Sequence, residues 1–186
     1  MTIKTLISNQ IENRNFLEPT GFTFQIQRAP KVTYFGNSVN IPGIYFSEAE
    51  QPTYLKDIPI PGTKLDFEDL DLNFLVDEDL ENYLEIQNWL RGIAYPDSLS
   101  EIYKFQKNNS HLNGKEESQL NLYSDATLTI LNSANRPAFK VIFENIFPVR
   151  LSSLDFDASQ SDVQYFTSTV SFKYTIYNIT EIGTCC

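Results

Sequence analysis

The sequence predicts a mainly β protein, an antiparallel β-sandwich or distorted barrel with one flanking α-helix at about residues 78–91. Two patterns carry this prediction. Segments in which apolar and polar residues alternate recur along the chain, as expected of strands that bury one face. The stretch from 78 to 91 instead repeats its apolar residues every three or four positions, which is typical of a helix lying on a sheet.

Three strand regions are predicted before the helix. Residues 22–28 alternate as FTFQIQR, and residues 31–41 are predicted to form a second strand. Residues 64–76 form the third, in which the apolar alternation shifts by one position between Phe67 and Leu70. One extra residue in a strand is what a β-bulge introduces, so a bulge is predicted there.

The helix has a start signal and a stop signal. Asp77 suits the N-cap, and the acidic residues after it would lie at the positive end of the helix dipole. Gly92 suits the C-cap, and Pro96 prevents the helix from continuing. The side chains predicted to pack on the sheet are Leu80, Tyr83, Leu84, Trp89 and Leu90.

Most of the chain after the helix is predicted to be strand. Residues 97–119 are mixed and polar and predict an exposed connection, and strands are predicted at 119–123, 126–131, 138–144 and 164–177. The last strand has one apolar face and one face rich in hydroxyl groups, which is either an ordinary solvent-facing surface or the lining of a hydrated channel. That polar face carries Thr167, Thr169, Ser171, Lys173 and Thr175.

The segment from 44 to 62 is unusually apolar for a connection. An exposed loop would not leave so many large apolar side chains in water, so we expect it to pack on another part of the chain or on another subunit. The N-terminal segment is a second candidate for docking on a neighbour. The candidate subunit-interface residues are Phe16, Leu17, Tyr45, Phe46, Tyr54, Leu55 and Ile58.

The length of 186 residues predicts one compact domain at 22–178, between an N-terminal arm at 1–21 and a C-terminal tail at 179–186. Its 41% hydrophobic content is too high for a disordered chain. The net charge of −10 disfavours a basic surface that follows phosphates, so we expect no sequence-specific nucleic-acid binding. Since no stretch approaches about 20 apolar residues, no stable membrane insertion is expected.

The sequence offers little for catalysis. Its single histidine, His111, lies in a polar segment, so no histidine-based zinc site can be assembled and a serine triad would depend on that residue alone. No glycine-rich phosphate loop or nucleophile elbow occurs. Cys185 and Cys186 are adjacent and are predicted to be free thiols. We therefore predict no enzyme activity, no catalytic residue, no metal site and no cofactor.

Acidic residues are dense between positions 66 and 81. Helix electrostatics and solvent-facing strand positions account for most of them, and their spacing does not match a calcium-binding EF-hand loop. A cation site between subunits and the acid pair of a hydrolase are the alternatives. The residues concerned are Asp66, Glu68, Asp69, Asp71, Asp77, Glu78, Asp79 and Glu81.

Several segments resemble the tail tube proteins of T4-like contractile-tailed bacteriophages, particularly cyanophage-type members. They are NRNFLEPTGF at 13–22, VNIPGI at 39–44, IPIPG at 58–62, and FLVDEDLENY at 74–83 followed by Trp89 and Leu90. The resemblance covers about residues 13–178 and consists of packing motifs, not catalytic signatures. The adjacent cysteines match nothing in the family pattern.

The resemblance implies a tail-tube-like β domain that forms sixfold rings, which stack into the tube inside a contractile sheath. DNA would pass through the lumen without sticking to it. The implied partners are further copies of the chain and the sheath, baseplate and tail terminator proteins, in a virion tail assembled in the host cytoplasm. A baseplate tube-initiator or tail terminator of the same fold is one alternative, and a carbohydrate-binding β domain is the alternative from another class.

Overall fold

The structure is a computed structural model that describes residues 16–94, 96–97, 122–157, 159 and 165–182. These residues form nine strands and two helices. The strands are β1 (Phe22–Ile26), β2 (Gly36–Val39), β3 (Ile44–Gln51), β4 (Ile58–Phe67), β5 (Leu70–Leu75), β6 (Ser124–Leu131), β7 (Pro137–Leu151), β8 (Thr167–Lys173) and β9 (Ile176–Glu181). The helices are α1 (Pro30–Tyr34) and α2 (Glu81–Ala94).

Seven of these strands form one antiparallel sheet that bends at its longest strand, β7. The order is β1-β6-β7-β8-β5-β2, and β9 also pairs with β7. Residues Phe139–Glu144 of β7 pair with β9, whereas Phe147–Leu151 pair with β8. Asn145 lies between these two parts with φ 55°, a left-handed conformation that asparagine tolerates better than most residues. The two remaining strands, β3 and β4, form a separate hairpin.

Buried side chains from both parts of the bent sheet and from both helices form one hydrophobic core. Phe74, Phe143 and Phe172 are completely buried, and Trp89 of α2 lies 5.9 Å from Phe172 between ring centroids. The predicted mainly β fold with antiparallel sheets and a helix against them is therefore confirmed. The structure adds the short helix α1.

The prediction of a second strand over residues 31–41 is wrong in its first half, where the chain forms α1 and only then β2. Ala29 at the N-cap of α1 gives no side-chain hydrogen bond. The Glu85 carboxylate of α2 instead faces the backbone N–H groups of Val32 and Lys31, which lower its pKa against the larger, raising effect of burial. The carboxylate that faces the first turn of α1 thus comes from a distant part of the sequence, which local pattern cannot reveal.

Helix α2 begins at Glu81, later than predicted, because Leu80 has a left-handed φ of 57°. Asp77 is therefore not the N-cap. Its backbone N–H instead donates to Oδ1 of the buried Asn82 at 3.2 Å, while Nδ2 of Asn82 donates to the backbone oxygen of Leu75 at 2.8 Å. Gly92 lies inside the helix and is buried, so it is not the C-cap.

The shift of alternation between Phe67 and Leu70 marks a change of sheet, so the predicted bulge is wrong. Residues 68–69 connect β4 of the hairpin to β5 of the large sheet. Each strand follows its own buried face, so the alternation has no reason to continue from one to the next.

The predicted strand at 164–177 is two strands, β8 and β9, separated at Tyr174 and Thr175. Because β9 extends to Glu181, residues 179–181 belong to the sheet and not to a C-terminal tail. A strand is predicted at 119–123, but the two described residues of that range, Leu122 and Tyr123, precede β6 and do not form a strand. The predicted connection at 97–119 lies almost entirely outside the described residues.

Candidate subunit interface

The apolar segment from 44 to 62 belongs to the β3–β4 hairpin, which contains most of the predicted interface residues. Near its root, Ile44 pairs with Phe67 and Phe46 pairs with Leu65, so these side chains share a face. Further out the register shifts between Phe46 and Glu48. The hairpin is antiparallel and pairs with no other described strand.

The large apolar side chains of the hairpin remain in contact with solvent in the isolated chain. Tyr45 is 59% exposed and Phe46 54%, and at the tip Tyr54 and Leu55 are almost completely exposed. Ile58 is half exposed. A soluble monomer rarely exposes so much contiguous apolar surface, and a two-stranded hairpin is marginally stable by itself in water. The hairpin therefore has the composition of a surface that another molecule covers.

The root of the hairpin is held together by Glu68. Its carboxylate accepts a hydrogen bond from the Tyr45 hydroxyl at 2.6 Å and another from the Gly43 backbone N–H at 3.1 Å. The Glu68 N–H in turn donates to the Gly43 backbone oxygen at 3.0 Å. The bonds from Tyr45 and Gly43 lower the pKa of Glu68, and the bond to Glu68 raises the pKa of Tyr45. A Cβ at position 43 would lie 2.7 Å from Glu68 Oε2, so any other residue there would require the Glu68 carboxylate to shift.

A second surface is the outward face of the sheet formed by β2, β5 and β8. Along β8, Ser168, Val170 and Phe172 point inward, which leaves Thr167, Thr169, Ser171 and Lys173 on the opposite face. Thr175 lies beyond the end of β8, where Asn145 Nδ2 donates to its hydroxyl at 3.4 Å.

The polar side chains on this outward face are connected to one another. The Thr169 hydroxyl donates to Asn73 Oδ1, and Ser171 Oγ donates to Asp71 Oδ1 at 2.6 Å. Lys173 pairs with Asp69 at 3.4 Å. The other basic residue on this face is Arg150 of β7, which pairs across the strands with Ser171 of β8. The face is therefore hydrophilic, with acidic and basic groups in balance.

The remaining predicted residues lie in other parts of the fold. Phe16 and Leu17 are exposed on the segment before β1, which is an edge strand. In the helix, Trp89 is buried and Tyr83 and Leu90 pack against the core. Leu80 precedes the helix and Leu84 lies on its solvent side; both are exposed and neither packs in the core as predicted.

Four side chains of the acidic run have structural partners. Asp69 and Asp71 belong to the polar face, Glu68 closes the hairpin root, and Glu81 pairs with Lys31 at 2.5 Å. Among the residues that the structure describes, no group of three His, Cys, Asp or Glu side chains is arranged to hold a metal ion. His111, Cys185 and Cys186 lie outside the described residues.

Sequence reasoning missed the importance of Glu68 and of two tyrosines, Tyr174 and Tyr177, whose hydroxyl groups reach the hairpin root. These tyrosines bond to residues 106 and 135 positions away. The one local sign of the hairpin root in the sequence is the shift of alternation after Phe67, which the sequence analysis interprets as a bulge.

The described part of the chain contains no helix with both the length and the apolar character needed to cross a membrane. Curated protein sequences give no significant match to the chain. Solved structures with a similar fold include the anti-feeding prophage tube-terminating cap, with a TM-score of 0.55 and 14% identity over 95% of this chain and 99% of the other.

Two further similar structures come from an extracellular contractile injection system named PVC. Its sheath–tube complex in the extended state gives a TM-score of 0.53 and 16% identity over 91% of this chain and 94% of the other. The sheath/tube terminator of the same system gives a TM-score of 0.52 and 17% identity over 90% of this chain and 99% of the other. At these identities the likeness concerns the fold.

The sequence model of the family described as "Phage tail tube protein" matches residues 5–180. That range includes both surfaces above and all but the last two described residues. Because the match spans nearly the entire sequence, this chain belongs to the phage tail tube protein family, a family of structural proteins and not of enzymes.

Proposed function

We propose that this chain polymerises as stacked hexameric rings into the inner tube of a bacteriophage contractile tail, through which genomic DNA is ejected. Family membership supports the structural role. The observation that carries the assembly mechanism is the β3–β4 hairpin, whose large apolar side chains stay largely exposed in the described chain and would be covered by another copy.

The free energy available to such a contact is substantial. Removing apolar surface from water stabilises a contact by about 25 cal/mol per Å², and one large aromatic side chain buries about 150–250 Å². Burying Tyr54 and Leu55 of each subunit would therefore contribute several kcal/mol for every hairpin contact between stacked rings. In this proposal the hairpin meets a different surface on the neighbour, so the contact is heterologous and can propagate from one ring to the next along a stack.

The edges of the large sheet offer a second kind of contact. Strands β1, β2 and β9 each pair on one side only among the described strands. Unpaired strand edges are templates for pairing with another chain, and closing them between identical copies removes an aggregation hazard. We propose that ring formation uses these edges, while the hairpin joins one ring to the next.

We propose that the polar face of β2, β5 and β8 lines the lumen. Its hydroxyl and amide groups bond to one another, and Lys173 is paired with Asp69, so DNA phosphates would meet no stripe of free basic groups. The net charge of −10 adds repulsion over about 8 Å at physiological salt. In a helical reconstruction of the tube, Thr169 should face the axis; a tube with Thr169 on its outer wall would refute this assignment.

The assembly proposal is tested by electron microscopy of the purified chain over a range of concentrations. The wild type should form rings and tubes. Replacing Tyr54, Leu55 and Ile58 together with serine should leave the far-UV circular dichroism spectrum unchanged but prevent stacking. The matched control is Tyr54→Phe, Leu55→Met and Ile58→Val, which keeps all three side chains apolar and should form tubes. Normal tubes from the serine variant would reject the hairpin as a stacking surface.

A baseplate tube-initiator or tail terminator is the second candidate, because a cap and a terminator resemble this fold as closely as a sheath–tube complex does. Tubes of indefinite length favour a tube subunit, whereas single rings that stop growing favour an initiator or terminator. In either role the proposed partners are tail sheath and baseplate proteins, and the proposed location is the virion tail after assembly in the host cytoplasm.

A further inference from the structure

The direction in which the β3–β4 hairpin projects depends on two short connections. Residues 40–43 lead from β2 into β3, and residues 68–69 lead from β4 into β5. The hairpin pairs with no strand of the large sheet in the described chain. A projecting two-stranded unit would swing about these connections unless side chains from the body held them.

Two tyrosines at the junction between β8 and β9 hold one connection each. The Tyr174 hydroxyl donates to the backbone oxygen of Glu68 at 3.0 Å. The Tyr177 hydroxyl donates to the backbone oxygen of Pro42 at 3.2 Å. The same turn of chain therefore fixes both the entrance to the hairpin and its exit.

The rings of the two tyrosines form a packed path from the hairpin to the core. Phe67, the last residue of β4, lies 6.0 Å from Tyr174 and 5.8 Å from Tyr177 between ring centroids, in edge-to-face arrangements. On the other side, both tyrosines contact Phe143 of β7, at 5.3 Å and 5.6 Å. Since Phe143 is completely buried, the hairpin root is anchored to the rigid centre of the fold.

The Tyr174 hydroxyl remains a donor under physiological conditions. Burial, followed by the charge interactions with Tyr177, Asp69 and Glu68, raises the pKa of Tyr174 to about 12. Glu68 also joins the two connections to each other through its bonds with Gly43. Asn40 in the first connection is also hydrogen-bonded to Asp69 and Asp71 after the hairpin. The root is thus joined across the hairpin by Glu68 and Asn40, and the two tyrosines add one bond each from the body of the fold.

We propose that Tyr174 and Tyr177 are positioning residues for assembly, which hold the hairpin root in one direction so that its apolar surface is preorganised to meet a second copy of this chain. The inference rests on the proposed role of the hairpin in subunit contacts. Neither tyrosine touches the neighbouring subunit in this scheme. They act by removing the cost of ordering the hairpin during association.

The variant that tests this is the double substitution Tyr174→Phe and Tyr177→Phe, which removes both hydroxyl groups and keeps the ring packing. Tyr83→Phe is the matched control, because its hydroxyl donates to the Ser152 backbone oxygen at 3.1 Å, a bond between α2 and the segment after β7 that does not involve the hairpin connections. The concentration at which tubes appear should rise at least about tenfold in the double variant and stay within about twofold in the control.

Hairpin direction is measured separately, below the assembly concentration, by pulsed electron paramagnetic resonance. Spin labels are attached at Asp57→Cys near the hairpin tip and Ala134→Cys in the β6–β7 turn, with Cys185 and Cys186 replaced by serine. The wild-type tyrosines should give a narrow distance distribution, and the double variant a distinctly broader one. An unchanged distribution would overturn the proposal.

These readouts separate the two hypotheses. If wild-type protein never assembles but the distance distribution broadens in the double variant, the proposed function fails and the positioning of the hairpin stands. If tubes form, depend on the apolar tip and tolerate the double variant at wild-type concentrations, the proposed function stands and the inference is refuted. Should the double variant fail to fold, the single variant Tyr177→Phe gives the same two measurements.

Discussion

Trp89 is the side chain whose removal should damage the fold most. It is 2% exposed and lies between α2 and the sheet, 5.9 Å from Phe172. Its indole N–H donates to the Leu122 backbone oxygen at 3.0 Å, and the Arg28 guanidinium lies 5.2 Å from the ring centre. Trp89→Ala removes all three contacts and leaves a cavity beneath the helix.

The expected loss of unfolding free energy is about 3–5 kcal/mol, the usual cost of replacing a buried tryptophan with alanine. Two effects place it toward the upper end. The Leu122 carbonyl loses its donor, and Arg28 loses an aromatic partner although burial already lowers the pKa of its guanidinium to about 10. Domains of this kind are stabilised by about 5–15 kcal/mol in total, so the variant would be close to unfolding.

Urea titration followed by far-UV circular dichroism measures this loss, because the variant has no tryptophan left to report by fluorescence. The exposed neighbour on the same helix provides the control, Asn88→Ala, which should change stability by less than about 0.5 kcal/mol. A loss below about 1 kcal/mol for Trp89→Ala, at an unchanged slope with urea, would contradict the position of Trp89 in the core.

Three further substitutions test local features. Burial raises the pKa of Glu85 in the folded state, so the fold loses stability as pH rises from the unfolded pKa of this carboxyl group to its folded pKa. Glu85→Gln should therefore be more stable than wild type at pH 8, and its melting temperature should depend less on pH between 4 and 8. A profile parallel to that of wild type would disprove this. Asn82→Ala should cost about 2–3 kcal/mol in urea titration, because two backbone groups lose their partner, and a loss under about 0.5 kcal/mol would contradict it. Gly62→Ala would place a Cβ 2.5 Å from the Ser47 backbone oxygen, so hairpin amides should exchange faster with solvent while the urea midpoint stays constant, and equal exchange would contradict this contact.

Much of the fold could be predicted from local pattern. Strand β1 lies inside the predicted segment 22–28, and β6 and β7 contain the predicted segments 126–131 and 138–144. The helical repeat predicted α2 at about residues 78–91, and the observed helix lies about three residues later in the sequence. These elements are predictable because the alternation of buried and exposed residues is a property of neighbouring positions in the sequence.

The predictions failed where distant residues decide the backbone. The first turn of helix α1 faces the Glu85 carboxylate of α2, and the start of α2 depends on Asn82, which bonds back to the end of β5. The shift after Phe67 was visible in the sequence, but a bulge and a change of sheet produce the same pattern over that length. Only the pairing of β4 with β3 and of β5 with β8 distinguishes them.

By itself, the sequence determined that the chain is a folded, mainly β protein without the residues for common catalytic sites, and it predicts that the segment around Tyr54 packs on another part of the chain or on another subunit. These conclusions follow from composition and periodicity, which require no knowledge of contacts. The tertiary structure alone decided that this segment is a hairpin outside the main sheet, and that Tyr174 and Tyr177 anchor its root. Contacts between residues more than 100 positions apart exist only once the chain has folded, since no local preference encodes them.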